Sequence, residues 1–230
     1  MKNTTKLLTT AAITLAISSV TFAQKQAEAE PAPAFSANVT IANDYVWRGK
    51  TQTDDEKTIQ GGFDYDFANG FALGVWASNV TVGSEFDYYG SYSGESDAGI
   101  GYEFGYISYN YSADKAVSNE VNFDEAYFGV SYAGFGLTHY KGNGKRAFKV
   151  GDYTEASYEY SAGEIVDISA TIGSYGEAEK GDNSDYKVYG IGLSKSINEI
   201  DYSLSFTRVK ESDKNSVNEK NTVFSISKTF

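Results

Sequence analysis

Residues 58–79 read TIQGGFDYDFANGFALGVWASN, and this stretch decides the fold class. In residues 58–67 the odd positions are apolar or glycine, whereas the even positions include Gln60, Asp64 and Asp66. Successive side chains of a β-strand point to opposite faces, so the alternation predicts a strand with one apolar and one polar face. Turn-forming residues follow at 68–70, and residues 71–79 then alternate again, which together predict a β-hairpin.

The same alternation recurs along the chain and predicts an all-β protein. It places twelve strands at 36–47, 58–67, 71–79, 96–104, 106–111, 123–132, 135–141, 152–160, 165–174, 186–196, 200–209 and 221–230. Every second connector is short, at 68–70, Gly105, 133–134, 161–164 and 197–199. The others, at 48–57, 80–95, 112–122, 142–151, 175–185 and 210–220, are longer and more polar. This arrangement is typical of a transmembrane, up-and-down antiparallel β-barrel of about twelve strands.

The two predicted faces differ as lipid and lumen should. Residues 166, 168, 170 and 172 are Val, Ile, Ala and Ile, whereas Asp167, Ser169 and Thr171 alternate with them. Lipid cannot hydrate a charge, so we expect the apolar face to point outward and the polar face to line a wet interior. A soluble lipocalin-like barrel would have the opposite arrangement. Asn43, Lys187 and Lys228 fall on the apolar face and are exceptions.

The N-terminus is predicted to be a targeting segment. Lys2 and Lys6 precede an apolar run, and Thr21-Phe22-Ala23 offers the small residues that a signal peptidase reads, so residues 1–23 are typical of a signal peptide. Residues 24–35 contain both prolines and predict a flexible leader. The barrel is then expected over 36–230.

Charge and composition exclude several classes of function. The formal net charge is −12, which argues against nucleic acid as a partner because phosphate binding needs a basic surface. The chain has no cysteine, which excludes disulfides and thiolate-bound metal. Aromatic residues make up 15% of the chain, and outer-membrane barrels use such rings in girdles at both membrane interfaces.

The C-terminal residues predict recognition during membrane assembly. The sequence ends at Phe230, and Ile226 and Phe224 share its face of the last strand. A terminal aromatic with apolar residues at alternating positions resembles the signal by which the barrel-assembly machinery recognises its substrates.

Several motifs also resemble the TorF family of proteobacteria, whose members are assumed to be porins without a known substrate. The most specific are DYVWRG at 44–49, QGGFDY at 60–65 and GVWASNV at 74–80. Further matches are EFDYY at 85–89, YSGE at 92–95, EAS at 155–157 and FSISKTF at 224–230. Thr51 replaces a more usual Ser, and Thr58-Ile59 replace a more usual Pro-Ala. The resemblance implies a barrel with a porin role in the outer membrane, among lipid and lipopolysaccharide.

A set of inward-facing residues is predicted to line the pore: Asp44, Arg48, Asp64, Asp66, Trp76, Glu103, Glu125, Glu155, Glu159, Asp167 and Asp201. Acidic rings favour cations over anions in a pore, although these carboxylates could simply keep the interior wet. Arg48 either shapes the channel mouth by pairing with Asp44, or braces the barrel wall beside a turn at Gly49. Trp76 either narrows the pore or fills space.

No enzymatic site is predicted. A membrane-embedded hydrolase would need a Ser-His pair with a polar orienting group, and His139, the single histidine, lacks such neighbours in sequence. Acidic runs at 54–56 and 182–185 lack full Ca²⁺-loop spacing, so solvated loops are expected and no metal or cofactor is assigned. The sequence therefore predicts passive, cation-leaning diffusion of small hydrophilic solutes or ions. The alternatives are a non-conducting structural or adhesive barrel and a hydrolase.

Overall fold

A computed structural model describes residues 33–81, 83–112, 121–142, 150–163, 165–179, 184–213 and 218–230. The predicted signal peptide and most of the predicted leader lie outside these residues. Within the described ranges, no helix has the length and apolar character needed to cross a membrane.

The described residues contain fourteen strands, and twelve of them form a closed antiparallel barrel, as the sequence predicted. They are β1 (Ala34–Ala42), β2 (Val46–Trp47), β3 (Lys50–Thr51), β4 (Thr58–Asp66), β5 (Phe71–Val80), β6 (Gly83–Glu95), β7 (Gly101–Ser112), β8 (Phe123–Tyr132), β9 (Phe135–Gly142), β10 (Tyr153–Ser161), β11 (Asp167–Tyr175), β12 (Tyr186–Ile197), β13 (Ile200–Glu211) and β14 (Lys220–Thr229). β2 and β3 pair only with each other and stand apart from the barrel sheet.

The barrel closes where β1 pairs with both β4 and β14. Phe230 completes this seam, because its backbone exchanges hydrogen bonds with Ala37 at 2.8 and 3.3 Å. At the other end of β1 the Asn43 side chain continues the pairing. Its Nδ2 donates to the Thr222 carbonyl (3.1 Å), and its Oδ1 accepts from the Phe224 amide (2.6 Å). This explains a polar residue on the predicted apolar face.

Two of the predicted strands and their connectors were wrong. The predicted loop at 80–95 is mostly strand β6, and the two short strands predicted around Gly105 are a single strand, β7. Residues 83–95 read GSEFDYYGSYSGE, whose many small and polar residues conceal an alternation of inward carboxylates and outward aromatics. The tight turn in this region lies at 96–100, whereas Gly105 pairs with Ser91 and Tyr127 inside the sheet.

The first predicted strand was also too long. It begins at Ala34 and ends at Ala42, and residues 46–47 belong to the separate β2–β3 hairpin. Five tight turns, after β4, β6, β8, β10 and β12, share one end of the barrel with Ala34 and Phe230; we call this the turn end. The opposite end, where β1 stops, is the loop end.

The outer face is apolar and the inner face polar. Phe63, Ile172 and Ile191 are 50% or more exposed, whereas inward Thr40 and Ser225 are 2% and 1% exposed. In the described barrel strands every Lys and Arg occupies an outward position: Lys141, Lys187, Lys195, Arg208, Lys210, Lys220 and Lys228. Most lie near strand ends, where a long side chain can reach headgroups. The interior wall therefore carries carboxylates without strand-borne cations.

Because of this division of faces, a charge should cost very different amounts of stability at two neighbouring positions in the middle of β13. Leu204→Lys places an ammonium on the outer face, which should lower the unfolding free energy in lipid vesicles by about 2–4 kcal/mol. Ser205→Lys is the matched control, because the same charge enters the polar lumen and should cost much less. Denaturant titration of vesicle-inserted protein measures both, and equal costs would contradict the assignment of faces.

Candidate functional site

The chain enters the lumen directly after β1. Residues 44–53, which we call the lumen hairpin, contain β2 and β3 and turn at Arg48 and Gly49. Both turn residues have positive φ, 47° and 82°. A two-residue hairpin turn of this hand matches the twist of its strands, and glycine takes the second position without strain. Arg48 is not glycine, and its unusual backbone conformation is held by what its side chain binds.

Hydroxyl groups fasten the base of the hairpin to Asp44. Its Oδ1 accepts hydrogen bonds from Thr51 Oγ1 at 2.7 Å and Thr53 Oγ1 at 2.8 Å, and the Gln52 amide donates to the Tyr45 carbonyl at 2.7 Å. Of the two alternatives for Arg48, pairing with Asp44 at a channel mouth is therefore wrong, and the structure agrees with a turn at Gly49 and an Arg48 that contacts the barrel wall. Asp44 lies inside the hairpin and shapes it, because side-chain acceptors next to a turn satisfy its hydroxyl and amide donors.

Arg48 forms a bidentate ion pair with Glu125 of β8. Nη1 and Nη2 each lie 2.7 Å from a Glu125 carboxylate oxygen. The guanidinium carbon lies 4.3, 4.8 and 4.4 Å from the ring centroids of Trp47, Tyr140 and Tyr153. Arg48 is 1% exposed and Glu125 is fully buried. The planar fork and the aromatic stacking are interactions that arginine makes and lysine does not.

Burial by itself would lower the pKa of Arg48, but the attraction and hydrogen bonds of Glu125 outweigh it and raise that pKa. Arg48 therefore stays charged. Removing one partner of such a buried pair leaves the other charge without a partner and lowers the free energy of unfolding by about 3–5 kcal/mol. The pair consequently holds the hairpin tip against β8.

The other side of the hairpin tip packs against β12, β13 and β14. A Cβ built on Gly49 would lie 2.6 Å from Val209 Cγ2, so only glycine fits here. Asn221 Nδ2 donates to the Gly49 carbonyl at 2.8 Å. Lys50 forms an ion pair with Glu211 and lies 4.9 Å from the Tyr186 ring centroid. A second cation of the hairpin thus neutralises a second wall carboxylate.

Aromatic rings fill the remaining space around the hairpin. Tyr45 meets Trp76 of β5 edge-on at 5.3 Å, and Trp47 packs against Tyr109 and Phe123 at 6.0 and 5.8 Å. Contacts of the hairpin thus reach β5, β7–β10 and β12–β14, on all sides of the barrel. Since Arg48, Glu125 and Val209 are at most 1% exposed, the hairpin fills the lumen at this level.

Between the hairpin and the turn end the lumen is an acidic cup. Inward positions there carry Asp64, Asp66, Glu103, Glu159, Asp167 and Asp201, and Asp66 and Glu159 are exposed. Tyr89 donates to Asp64 at 2.5 Å, and Tyr127 donates to Glu103. Glu155 lies nearer the loop end than Glu159 on the same strand and is 3% exposed. Its carboxylate accepts a hydrogen bond from the Tyr153 hydroxyl at 2.8 Å. The cup can attract cations by its charge.

Sequence reasoning missed four carboxylates at inward positions of the barrel strands, Glu85, Asp87, Glu95 and Glu211, and the inward ammonium of Lys50. Glu85 and Asp87 were missed because β6 was taken for a loop. The period-2 pattern of SEFDYY at 84–89 was the signal that could have found them. Lys50 and Glu211 carried no such signal, because they meet only in the folded barrel.

The remaining candidate residues lie apart from the lumen. His139 faces outward, exposed, with Nδ1 2.9 Å from Thr154 Oγ1. Residues 54–56 are exposed next to the loop end, and 182–183 lie outside the described residues. Over the ranges that the structure describes, no three His, Cys, Asp or Glu side chains gather as a metal centre.

The role of the Arg48–Glu125 ion pair in holding the hairpin can be tested by the fluorescence of Trp47. The chain has two tryptophans, so Trp76→Phe leaves Trp47 as the single reporter. Arg48→Met leaves Glu125 unpaired, so the hairpin should loosen by up to about 3–5 kcal/mol and Trp47 should become accessible to acrylamide. The double variant Arg48→Met, Glu125→Gln removes both charges and should restore much of the protection. Unchanged acrylamide quenching in the single variant would show that the ion pair does not hold the hairpin in place.

Solved structures with the same fold are bacterial membrane barrels. The chain aligns with the KdgM porin at 13% identity over 85% of this chain and 98% of that one, with a TM-score of 0.56. The KdgM porin in complex with disordered oligogalacturonate matches at 12% identity, over 85% and 97% of the two chains, with a TM-score of 0.54. A membrane protein solved in a study of in meso crystallisation matches at 9% identity, over 85% and 83%, with a TM-score of 0.57. At such identities the likeness concerns the fold alone.

Sequence comparison places the chain in a family without assigning an activity. No curated protein sequence matches it. The comparison does not test the resemblance to the TorF family, which stays a prediction. The model that matches, over residues 26–230, is that of Gcw_chp, and the chain therefore belongs to this family of bacterial proteins of unknown function.

Proposed function

We propose that this protein is an outer-membrane channel for passive diffusion of small cations and small hydrophilic solutes, with the lumen hairpin as its constriction. One observation carries the proposal: a closed barrel with an apolar exterior and a polar interior is crossed by a hairpin that ion pairs hold in place. A barrel of this size has an interior between that of a side-chain-filled eight-stranded barrel and that of a wide porin. The function needs no catalytic step.

The charge of the preferred solute follows from the charges on the inner wall of the barrel. The cup carboxylates face no Lys or Arg from the described barrel strands, and the two hairpin cations are already paired with Glu125 and Glu211. Fixed negative charge in a narrow lumen raises the local concentration of cations. The oligogalacturonate found with the KdgM porin is itself anionic, so the cup of this chain does not suit such a ligand.

The orientation follows the usual arrangement of outer-membrane barrels. Tight turns face the periplasm and longer loops face the outside, so the cup opens toward the periplasm and the hairpin lies near the outer surface. The surroundings are then membrane lipid and lipopolysaccharide. The resemblance to TorF porins supports a channel role, and Phe230, Ile226 and Phe224 remain the predicted signal for the assembly machinery.

Removing the constriction should enlarge the pore. Replacing residues 46–51 by a short Gly-Ser linker takes away the aromatic and ionic contacts of the hairpin, so single-channel conductance in planar bilayers should rise severalfold. The wild type should give small or rarely open channels. The control exchanges residues 54–56, which are exposed, for Gly-Ser residues and should leave conductance unchanged. Equal conductance of the hairpin variant and the wild type would refute the constriction.

Cup charge should set ion selectivity. The triple variant Asp64→Asn, Asp66→Asn, Glu159→Gln should shift the zero-current potential toward anions at 0.1 M salt. The preference of the wild type for K⁺ over Cl⁻ should fade near 1 M, because the Debye length falls from about 10 Å to about 3 Å.

A matched control neutralises as many carboxylates outside the lumen, by Asp54→Asn, Asp55→Asn, Glu56→Gln. It should shift the potential much less than the cup variant. An anion-selective wild type, or a cup variant with unmoved selectivity, would contradict the role of the cup.

The second candidate is a non-conducting structural barrel, and the filled cross-section at Arg48 favours it. Folded protein that conducts neither as wild type nor without its hairpin would select this alternative. Conductance of the hairpin variant alone would instead identify a channel that is closed at rest.

A further inference from the structure

Two carboxylates on the inner face of β6 lie beneath the lumen hairpin without a cation. Glu85 is 1% exposed and Asp87 is 7% exposed. They are two residues apart on one strand and point to the same face, so their charges repel each other. In the part of the chain that the structure describes, neither forms an ion pair with a Lys or Arg. Both hairpin cations have other partners, because Arg48 gives both of its terminal nitrogens to Glu125 and Lys50 pairs with Glu211.

Both carboxylates also have an oxygen atom that lacks a donor. Glu85 Oε1 accepts from the Tyr111 hydroxyl at 3.1 Å, but Glu85 Oε2 and Asp87 Oδ1 are buried and have no hydrogen-bond partner. A buried anionic oxygen without a donor or counter-charge is expensive, because burial removes its hydration. Two such carboxylates on one stretch of wall need neutralisation, either by a proton that they share or by a cation in the space between them.

The surroundings supply further oxygen ligands. Ser78 lies opposite Glu85 on β5, and Tyr45 of the hairpin covers the pair from the loop end. Gln60 follows Ser78 in the same row, is 4% exposed, and its amide nitrogen also has no partner. A half-turn of that amide about its last side-chain bond would put its oxygen where the unpartnered nitrogen is. The donor set is thus made of carboxylate, hydroxyl and amide oxygens, which hard cations prefer.

The acidic cup lies on the turn-end side of these carboxylates, and Asp87 is the more exposed of the two. On β6 the inward positions after Asp87 are Tyr89 and Ser91, which lead down to the acidic cup. The negative cup concentrates cations on this side. Access from the loop end is closed by the hairpin, where Tyr45 is 3% exposed.

We propose that Glu85 and Asp87 form a binding site for one divalent cation, of which Ca²⁺ is the best match. One divalent cation neutralises both carboxylates at once. Ca²⁺ tolerates irregular sets of about six to eight oxygen ligands, with water completing them, whereas Mg²⁺ demands near-ideal octahedral geometry. The site lies between β6 and the hairpin, so a bound cation also fastens the hairpin on the side opposite Val209. The proposal is independent of whether the barrel conducts.

The test uses the full-length folded barrel in detergent, stripped of divalent ions with EGTA, at pH 7. Isothermal titration with Ca²⁺ should show saturable binding of about one ion per chain. Asp87→Asn and Glu85→Gln, each with one charge fewer and nearly the same shape, should each weaken the affinity by about tenfold or more. Heat modifiability on gels verifies that each variant is folded.

The control is the pair Asp64→Asn, Asp66→Asn, which removes two charges from the cup and none from the site. Its affinity should fall much less than that of either site variant, because it only weakens the general attraction for cations. Luminescence of bound Tb³⁺, excited through nearby Tyr45 and Trp76, gives a second readout, which Ca²⁺ should reverse.

Four results would overturn the proposal. The first is a wild type without saturable Ca²⁺ binding, which would mean that the two carboxylates share a proton instead. The second is unchanged affinity in both site variants. The third is a loss in the cup control as large as that in the site variants, which would mean diffuse attraction without a site. The fourth is a clear preference for Mg²⁺ over Ca²⁺.

Discussion

The buried ion pair between Arg48 and Glu125 is the interaction on which the interior depends. A barrel of twelve strands has an inner cross-section too large for its own wall side chains to fill. The hairpin places the guanidinium of Arg48 inside that space, where it pairs with Glu125 and stacks on three aromatic rings. Without the positive charge, Glu125 would be a lone buried carboxylate. The two-residue turn requires a positive φ at Arg48, and the carboxylate of Glu125 helps to hold this conformation.

A second constraint is the separation of charges across the wall. Outward positions carry the strand-borne Lys and Arg, whose long stems reach the membrane interface, whereas the strand-borne carboxylates occupy inward positions, with the exception of Asp124 at the start of β8. Carboxylate side chains are too short to leave lipid in this way, so the lumen is where they can stay hydrated. The interior thereby becomes acidic, and the hairpin, with Arg48 and Lys50, is the one described source of inward positive charge.

These constraints divide the lumen into two regions with different chemistry. The level of the hairpin is packed, and two of its wall carboxylates are paired with the hairpin cations. The cup at the turn end is negative, and Asp66 and Glu159 among its carboxylates are exposed. Glu85 and Asp87 lie where the two regions meet, buried like the hairpin and anionic like the cup.

The sequence by itself determined the closed barrel and, over most strands, which side chains face lipid, because a period of two is a local property of each strand. The predicted number of twelve barrel strands agrees with the structure because the missed strand β6 and the division of β7 into two strands cancel. Local patterns were insufficient at 80–105, where Gly and Ser within β6 look like a loop and a central Gly105 looks like a turn. Only the tertiary structure decided that residues 44–53 enter the lumen. Arg48 and Glu125 are 77 positions apart, so their pairing depends on barrel closure. The same is true of Lys50 with Glu211, because no sequence pattern records which wall a connecting segment will meet.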